Sequence, residues 1–406
     1  MGFYSLIESL LEQHQHNTCK GMSRSNIISR GFRVGIAVLT GLFMTLVLTG
    51  CRSFIFDDEG DCSVHYRVSF RYSRNILNAD AFGPQVTDVR LWLFDQDGVP
   101  VFSRQERREL SADNDFYIEV DVPAGRYDIV AWCGGDSPID GAVSFAIGGY
   151  AQASAKSDLT ATLPLESEAS LLHSRHDITP LYYGMAEDVE FPDTYGIVDI
   201  DPVMLVKDTN HITLQLLNTD GSHIDPSIID IRLEGANGSL DCSNLPTGDR
   251  RFDYRPWSLR GIEAEVENGR VRAGERGEER GEERGEERGE ESARERNEES
   301  GEDASSSLQK ATGIQAELTT GRLMAGMEQT LTIRRTDTGE TIIRIPLIEY
   351  LMLVRSEYEV ASSDQDYLDR YDGYSMVFFM ANGYTWIKSR ILINGWRVVP
   401  PQTEEV

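Results

Sequence analysis

The stretch SVHYRVSFRY, Ser63–Tyr72, alternates apolar and polar residues over its whole length. In an extended chain this alternation places five apolar side chains on one face, namely Val64, Tyr66, Val68, Phe70 and Tyr72. One apolar and one polar face are typical of a strand that covers a core on one side. We therefore expect Ser63–Tyr72 to be the first strand of a β-sheet.

Similar short runs recur along the chain, separated by Gly, Pro and Asp. In the first half they are Val86–Phe94, Val99–Phe102, Phe116–Val120, Arg126–Trp132, Thr160–Pro164 and Leu181–Phe191. In the second half they are Ile228–Leu233, Gln315–Leu323, Gln329–Arg335, Thr341–Ile345, Tyr374–Met380 and Arg390–Val399. Leu347–Tyr358, behind Pro346, has the spacing of a short amphipathic helix. This spacing predicts an all-β chain of β-sandwiches rather than βαβ units.

The long run Val203–Asn218 is interrupted at Lys207–Asn210, where we place a domain boundary. The predicted organisation is an N-terminal β-sandwich at 62–207, a C-terminal β-sandwich at 208–400 and a tail at 401–406. The length of 406 residues agrees with two or three domains. The net charge of −28 argues against a nucleic-acid partner, because phosphates require a basic surface.

The N-terminus carries the features of an export signal. Basic residues precede the apolar run Val34–Leu48, which ends in Leu48-Thr49-Gly50-Cys51. This ending resembles the lipobox of bacterial lipoproteins, which implies cleavage before Cys51 and lipidation of its thiol. The alternative is an ordinary cleaved signal or a weak membrane span. Residues 1–50 are therefore predicted to be a signal peptide, within which Met22 is a more usual start and 1–21 a mis-assigned extension.

Residues 51–61 form an acidic tether that contains Asp57-Asp58-Glu59-Gly60-Asp61. The cluster is either a solvated spacer or, by similarity to Bacteroidales lipoproteins, a signal for export to the cell surface. Several acyl chains together would hold the protein on the outer membrane.

The mature chain has four cysteines: Cys51, Cys62, Cys133 and Cys242. With lipid on the first, at most one disulfide can form. Cys62 and Cys133 are the preferred pair because both belong to the first domain, and the alternative is that they are buried free thiols. The sequence contains no Cys-x-x-Cys, which argues against a zinc site.

Gly274–Ser292 is a nearly perfect four-residue repeat, GERGEERGEERGEERGEES. In a helix this period would place like charges at every i,i+4 contact and add a helix-weakening Gly per repeat. We therefore expect a disordered charged segment at about 267–307, where trypsin-like proteases would cut first.

The sequence favours a non-catalytic protein without cofactor or metal. It lacks Gly-x-Ser-x-Gly, a Gly-Lys-Ser/Thr loop and His-Glu-x-x-His. Phe94-Asp-Gln-Asp-Gly98 is predicted to be a hairpin turn, since the Glu that would close a calcium loop is missing. His173–Asp177 and the acids of 364–372 are predicted to be solvated loops. The five tryptophans could stack on sugars, although three lie in strand-like runs and are expected in the core.

Several segments together resemble the fimbrial anchoring-subunit family of Bacteroidales. In the first domain they are Asp61-Cys62, Asn75, Asn78–Phe82, Val89–Gly98, Pro123–Tyr127 and Tyr182-Tyr183-Gly184. In the second domain they are Asn237-Gly238, Asn244, Tyr254, Pro256-Trp257, Asp366–Arg370, Phe378-Phe379, Trp386 and Ile391–Trp396. The charged repeat and the N-terminal extension depart from the family pattern.

The resemblance implies two transthyretin-like β-sandwiches that hold a fimbrium at the outer membrane and limit its length. The partner would be a pilin, bound by strand addition to a sheet edge. In related fimbrillins a protease removes the first strand after an Arg, whereas in an anchor this strand is implied to stay. Here the strand at issue is Ser63–Tyr72, with Arg67 and Arg71 on its polar face and Arg74 following. The alternative function is a fimbrial tip adhesin or a surface glycan-binding lipoprotein.

Overall fold

The computed structural model describes residues 63–149, 153–248, 250–267, 270–273 and 309–398. The predicted signal peptide, Cys51, the tether, Cys62, the repeat Gly274–Ser292 and the tail lie outside the described residues. The chain divides into two compact units, residues 1–67 with 192–199 and residues 68–191 with 200–406. The predicted boundary between 207 and 208 falls inside the larger unit and stays a prediction.

The described residues form four β-sheets, and the all-β prediction is confirmed. Sheet I contains β1 (Val64–Arg71), β2 (Asp88–Phe94), β3 (Pro100–Arg107), β4 (Tyr117–Val120), β5 (Gly125–Gly134), β10 (Leu181–Phe191) and β11 (Gly196–Lys207). Sheet II contains β12 (Asn210–Asn218), β16 (Ser258–Glu267), β17 (Arg270–Ala273), β18 (Gln309–Thr320), β21 (Gly373–Ala381), β22 (Thr385–Ile393) and β23 (Trp396–Val398). Sheet III contains β8 (Glu166–Glu168), β9 (Leu171–Ser174), β13 (Ile229–Gly235), β15 (Phe252–Tyr254), β19 (Thr330–Arg335) and β20 (Thr341–Pro346). Sheet IV contains β6 (Ala146–Gly148), β7 (Thr160–Thr162) and β14 (Ser239–Leu240).

The strand order is β3-β2-β5-β10-β11-β1-β4 in sheet I and β17-β16-β18-β12-β21-β22-β23 in sheet II. Sheet III has the order β20-β19-β13-β15-β9-β8, and sheet IV has the order β14-β7-β6. One apolar core includes buried side chains from every sheet, for example Trp132, Leu216, Ile333 and Ala161. All four sheets therefore contribute to one shared core, and a second, smaller cluster on sheet II includes Leu217 and Phe379.

Two ladders join strands from before and after residue 207. β9 pairs in parallel with β15, with His173 opposite Asp253 and Ser174 opposite Tyr254. β14 pairs antiparallel with β7, with Ser239 opposite Thr162. The prediction that His173–Asp177 is a solvated loop is wrong for its first part, because His173 lies on β9 and is 1% exposed. Short strands such as β8 and β9 carry too few residues for a visible alternation.

The described helices are α1 (Phe82–Gln85), α2 (Leu347–Met352) and α3 (Asp364–Arg370). The helix predicted at Leu347–Tyr358 ends early, at Met352, and a 3-10 turn follows at Arg355–Glu357. The acidic segment 364–372 is predicted from the sequence to be a loop, but its first seven residues form helix α3. The Ser363 side chain accepts a hydrogen bond from Asp366 N at 3.1 Å, which is an N-cap that starts this helix.

The hairpin predicted at Phe94–Gly98 is confirmed by the β2–β3 ladder. Gly98 has a φ of 75°, and Asp95 Oδ1 accepts from Asp97 N at 3.0 Å and from Val99 N at 2.8 Å. The carboxylate is thus used by the turn itself, which is the usual role of Asp at this position.

Candidate functional site: the first strand and its attachment

Strand β1 lies inside sheet I, between β11 and β4. Its apolar face is closed to solvent, with Tyr66 and Val68 at 0%, Phe70 at 1% and the following Tyr72 at 2% exposure. Burial of each such side chain is worth about 1.5–3 kcal/mol. The alternation in the sequence therefore creates a strand with one fully buried apolar face.

In the smaller unit, the start of β1 is held by two hydrogen bonds. The Tyr66 hydroxyl donates to Pro192 O at 2.8 Å, and Gly196 N donates to Ser63 O at 3.1 Å. These contacts fix the start of β1 within the smaller unit.

In the larger unit, the end of β1 packs against aromatic rings. Phe70 stacks on Phe82 with ring centroids 5.7 Å apart, and Tyr72 meets Tyr182 edge to face at 5.1 Å. The Arg108 guanidinium lies over the Phe82 ring, 5.2 Å from its centroid. Aromatic pairs of this geometry add to the free energy of burial.

A polar turn closes the strand. Asp80 Oδ1 accepts from Tyr72 N at 3.0 Å and from Phe82 N at 3.1 Å. Asn114 Nδ2 donates to both Phe70 O and Asp80 Oδ2 at 2.7 Å. The side chains of Asn and Asp thereby satisfy the main-chain groups at the point where the ladder ends.

Arg74 links this turn to helix α3. Its Nε donates to Asp366 Oδ1 at 3.1 Å, and its Nη1 lies 3.8 Å from Asp369 Oδ2. Asp366 is 3% exposed and also accepts from Arg370 Nε at 3.0 Å. Burial raises the pKa of Asp366, but hydrogen bonds from Ser362 N, Arg370 and Arg74 outweigh this effect and lower the pKa to about 2.

Arg322 extends the ion pairs to a second buried carboxyl group. Its Nη2 donates to Asp369 Oδ1 at 3.0 Å, and its Nε lies 3.7 Å from Asp208 Oδ1. Asp208 is fully buried and accepts from Asn244 Nδ2 at 2.8 Å. Burial raises the pKa of Asp208 to about 7 despite the opposing effects of Arg322 and Asn244. We call this set the junction network; it consists of Arg74, Asp208, Asn244, Arg322, Asp366, Asp369 and Arg370.

The other predicted site residues have different surroundings. Arg71 is exposed, with its Nε 3.7 Å from Asp80 Oδ2. Cys133 lies buried on β5 and has no disulfide partner among the described residues, and burial raises the pKa of its thiol. Since Cys62 lies outside the described residues, a Cys62–Cys133 disulfide stays a prediction. In the described part of the chain, no group of three or more His, Cys, Asp or Glu side chains is arranged to hold a metal ion.

The tryptophans do not form an aromatic platform. Trp92 and Trp132 are fully buried, as predicted for strand residues, and Trp257 and Trp386 are partly buried. Trp396 is 48% exposed, on the edge strand β23.

The sequence analysis does not predict the junction network, although Asp366–Arg370 belongs to the segments that carry the family resemblance.

Among solved structures, the fold matches proposed adhesins and a fimbrial anchor protein. A proposed adhesin from Bacteroides thetaiotaomicron is 25% identical with a TM-score of 0.61, and the match covers 84% of this chain and 99% of that one. A proposed adhesin from Bacteroides ovatus is 20% identical with a TM-score of 0.58, covering 86% and 98%. The fimbrial anchor protein Mfa2 from Porphyromonas gingivalis is 17% identical with a TM-score of 0.51, covering 83% and 99%. The fold is therefore that of adhesin and fimbrial anchor proteins.

The family of the chain is identified by a match of its sequence to a family model. The model of the fimbrillin-A associated anchor proteins Mfa1 and Mfa2 matches residues 58–400, and the chain belongs to this family. Among curated protein sequences, no significant match was found. The family consists of structural proteins of fimbriae, so the chain has a fimbrium-associated role at the cell surface. In the described residues, no helix has the length and apolar character needed to cross a bilayer.

Proposed function

We propose that this protein attaches a fimbrium to the outer membrane through a lipid on Cys51 and limits the length of the fimbrium. In this proposal β1 is never removed, so the lipid stays covalently joined to the folded protein. An assembled subunit that keeps its first strand offers no groove to a further subunit, and growth ends there.

The observation that carries the proposal is the attachment of β1. The strand is interior to sheet I, its apolar face is buried, and Arg74 at its end bonds Asp366 on α3. A protease that cuts after Arg74 would need this side chain in its specificity pocket and would first have to break the ion pair. Arg71 is more exposed, but it directly follows the buried Phe70.

We further propose that the pilin strand adds beside β23, the last strand of sheet II among the described residues. Strand β23 ends that sheet and exposes Trp396. An edge strand offers main-chain donors and acceptors, and a large aromatic side chain beside it is a common anchor in interfaces. Trp396→Ala should weaken pilin capture by purified protein, whereas Leu77→Ala, at an 82% exposed position, should not.

The test of anchoring is replacement of the gene by variants. The wild-type gene should give attached fimbriae of normal length, and Cys51→Ser should give fimbriae that are shed into the medium together with the variant protein. Cys242→Ser, which removes a half-buried thiol, is the matched control and should behave as wild type. Fimbriae that stay attached with Cys51→Ser would contradict the proposal.

The fimbrial tip or glycan-binding alternative requires exposed aromatic rings on a concave surface. The described tryptophans do not provide such a surface, so we do not favour adhesion through aromatic stacking on glycan chains as the main role of the protein.

A further inference from the structure

An open cleft of about 520 Å³ lies beside one end of strands β2 and β5. Arg90, Arg107 and Asp88 line one side, and Trp132 and Phe145 line its apolar part. The volume is within the range of roughly 300–1,000 Å³ of small-molecule sites. No residue of the cleft belongs to the junction network or to strand β1.

The cleft has more cationic than anionic side chains, although the whole chain is strongly acidic. Three arginines and two aspartates line it: Arg90, Arg107, Arg108, Asp88 and Asp136. The Asp88 carboxylate serves two of the guanidinium groups, with Arg90 Nη2 at 3.3 Å and Arg107 Nε at 3.9 Å, and it also accepts from Gln105 Nε2 at 2.7 Å. Two cations that share one carboxylate leave room for a second anion.

The ion pair with Asp88 uses only part of the N–H donors of Arg90. Its side chain is only 27% exposed, and Asp88 is its ion-pair partner among the described residues. None of its nitrogen atoms is both buried and without a partner, so the remaining N–H groups face the solvent in the cleft. Arg108 differs, because its Nη1 donates to Gly83 O at 2.9 Å and to Val86 O at 2.7 Å.

Trp132 is one of the residues around the cleft. It is 0% exposed, its ring packs on Tyr183 at 4.8 Å, and its Nε1–H has no hydrogen-bond partner among the described residues. An unpaired buried donor is uncommon in native proteins, since the lost contact with water is not replaced. Because this nitrogen is closed even to water, a ligand in the open cleft does not reach it, and the arginines are the groups that can bind one.

We propose that this cleft binds a small carboxylate-bearing ligand of the acidic-sugar class. Arg90 and Arg107 bind the carboxylate, for which the planar guanidinium group is suited. The hydroxyl groups of Thr87, Ser137, Ser144 and Thr179 also line the cleft. Ser137 already donates to Asp177 Oδ2 at 2.7 Å and Thr179 to Ser144 Oγ at 2.8 Å, so these two act as acceptors towards the sugar hydroxyls and Ser144 as a donor. The cleft is independent of the proposed anchoring role, because neither the lipid nor β1 takes part in it.

The experiment is titration of the purified full-length chain with glucuronate and with glucose, followed by calorimetry or NMR. Glucuronate should saturate and glucose should not, because the two sugars differ in the carboxylate. N-acetylglutamate is the third probe and separates an acidic sugar from an amino-acid carboxylate. Binding of N-acetylglutamate as tight as that of glucuronate would overturn the sugar class.

Arg90→Gln should weaken glucuronate binding by at least about tenfold, since a charged hydrogen-bonding partner is lost. Arg107→Gln, at an 86% exposed side chain, is the second variant in case the first does not fold, and it should also weaken binding. Arg104→Gln is the matched control, because Arg104 is on the same strand, pairs with Glu106 at 2.7 Å and does not line the cleft. Equal binding of both sugars, no saturation up to about 10 mM, or unchanged affinity in both cleft variants would overturn the proposal.

Discussion

Arg74 and Asp366 are 292 residues apart in the sequence, yet Arg74 Nε donates to Asp366 Oδ1 at 3.1 Å. The bond joins the end of the first strand to a helix of the last quarter of the chain. Since Asp366 is nearly buried and Arg74 is partly exposed, the arginine is the partner that can be removed with least disturbance.

We expect Arg74→Gln to lower the free energy of unfolding by about 1 kcal/mol. A charge-assisted hydrogen bond is lost, but solvent screens the exposed side of the pair and Arg370 continues to neutralise Asp366. Urea denaturation measures the change. Arg71→Gln is the control, because its 3.7 Å contact with Asp80 is weaker, and it should cost less. An equal loss of unfolding free energy in both variants would show that the ion pair of Arg74 with Asp366 stabilises the fold no more than the contact of Arg71 with Asp80.

Stability should fall below about pH 4 through Asp366. Its folded pKa of about 2 lies below the ordinary value, so its contribution is complete above the unfolded pKa and is lost as the pH falls towards 2. Asp366→Asn should reduce this acid dependence, as measured by urea midpoints between pH 2 and pH 5. A variant whose midpoint falls as steeply as that of the wild type would contradict the assignment.

Asp208 should act in the opposite direction between about pH 4 and pH 7. Its folded pKa is raised to about 7, so the folded state holds a proton that the unfolded chain releases near pH 4. The contribution of this group to stability is therefore largest below pH 4 and declines as the pH rises to 7. Asp208→Asn should flatten the profile in this window while leaving the decline below pH 4 in place. Asp220→Asn, on an exposed turn, should leave the profile between pH 4 and pH 7 unchanged.

Phe70→Ala should cost about 3–5 kcal/mol, since the ring is 1% exposed and stacks on Phe82. If β1 is held in place by this packing, the variant should also be cut by an Arg-specific protease after Arg71 or Arg74 much faster than the wild type. Ser69→Ala changes the opposite face of the strand and serves as the control. Slow cleavage of a destabilised Phe70→Ala would show that other contacts retain the strand.

The sequence predicts strands best in segments where apolar and polar residues alternate over many positions. The first strand, the hairpin at Phe94–Gly98 and the break between β11 and β12 follow directly from it. It was less informative for Arg390–Val399, predicted to be one strand, where the structure has β22 and β23 around Asn394-Gly395. Both residues have positive φ, 50° and 81°, as expected for a two-residue hairpin turn, and this dipeptide was the available signal.

The junction network could not have been derived from local patterns. Asp208, Arg322 and Asp366 belong to three distant segments, and charged residues are common throughout this chain. Only the fold brings them together, and only burial distinguishes them from other charges on the surface. By contrast, the capping of α3 by Ser363 with Asp366 three residues later is a local pattern that the sequence does contain.

Finally, the shared ladders predict that the described sheets unfold together. Strands from before residue 207 pair with strands from after it at β9–β15 and at β7–β14, and one core includes side chains from all four sheets. Neither half can lose its structure without leaving ladder groups of the other unpaired. Differential scanning calorimetry should give one transition whose calorimetric and van't Hoff enthalpies agree.

Tyr254→Phe tests this expectation. The substitution removes the hydroxyl that donates to Asn237 Oδ1 at 3.0 Å and accepts from Gly321 N at 2.9 Å, so it should lower the midpoint of that single transition. Two resolved transitions, with only one shifted by Tyr254→Phe, would show instead that the halves are independent.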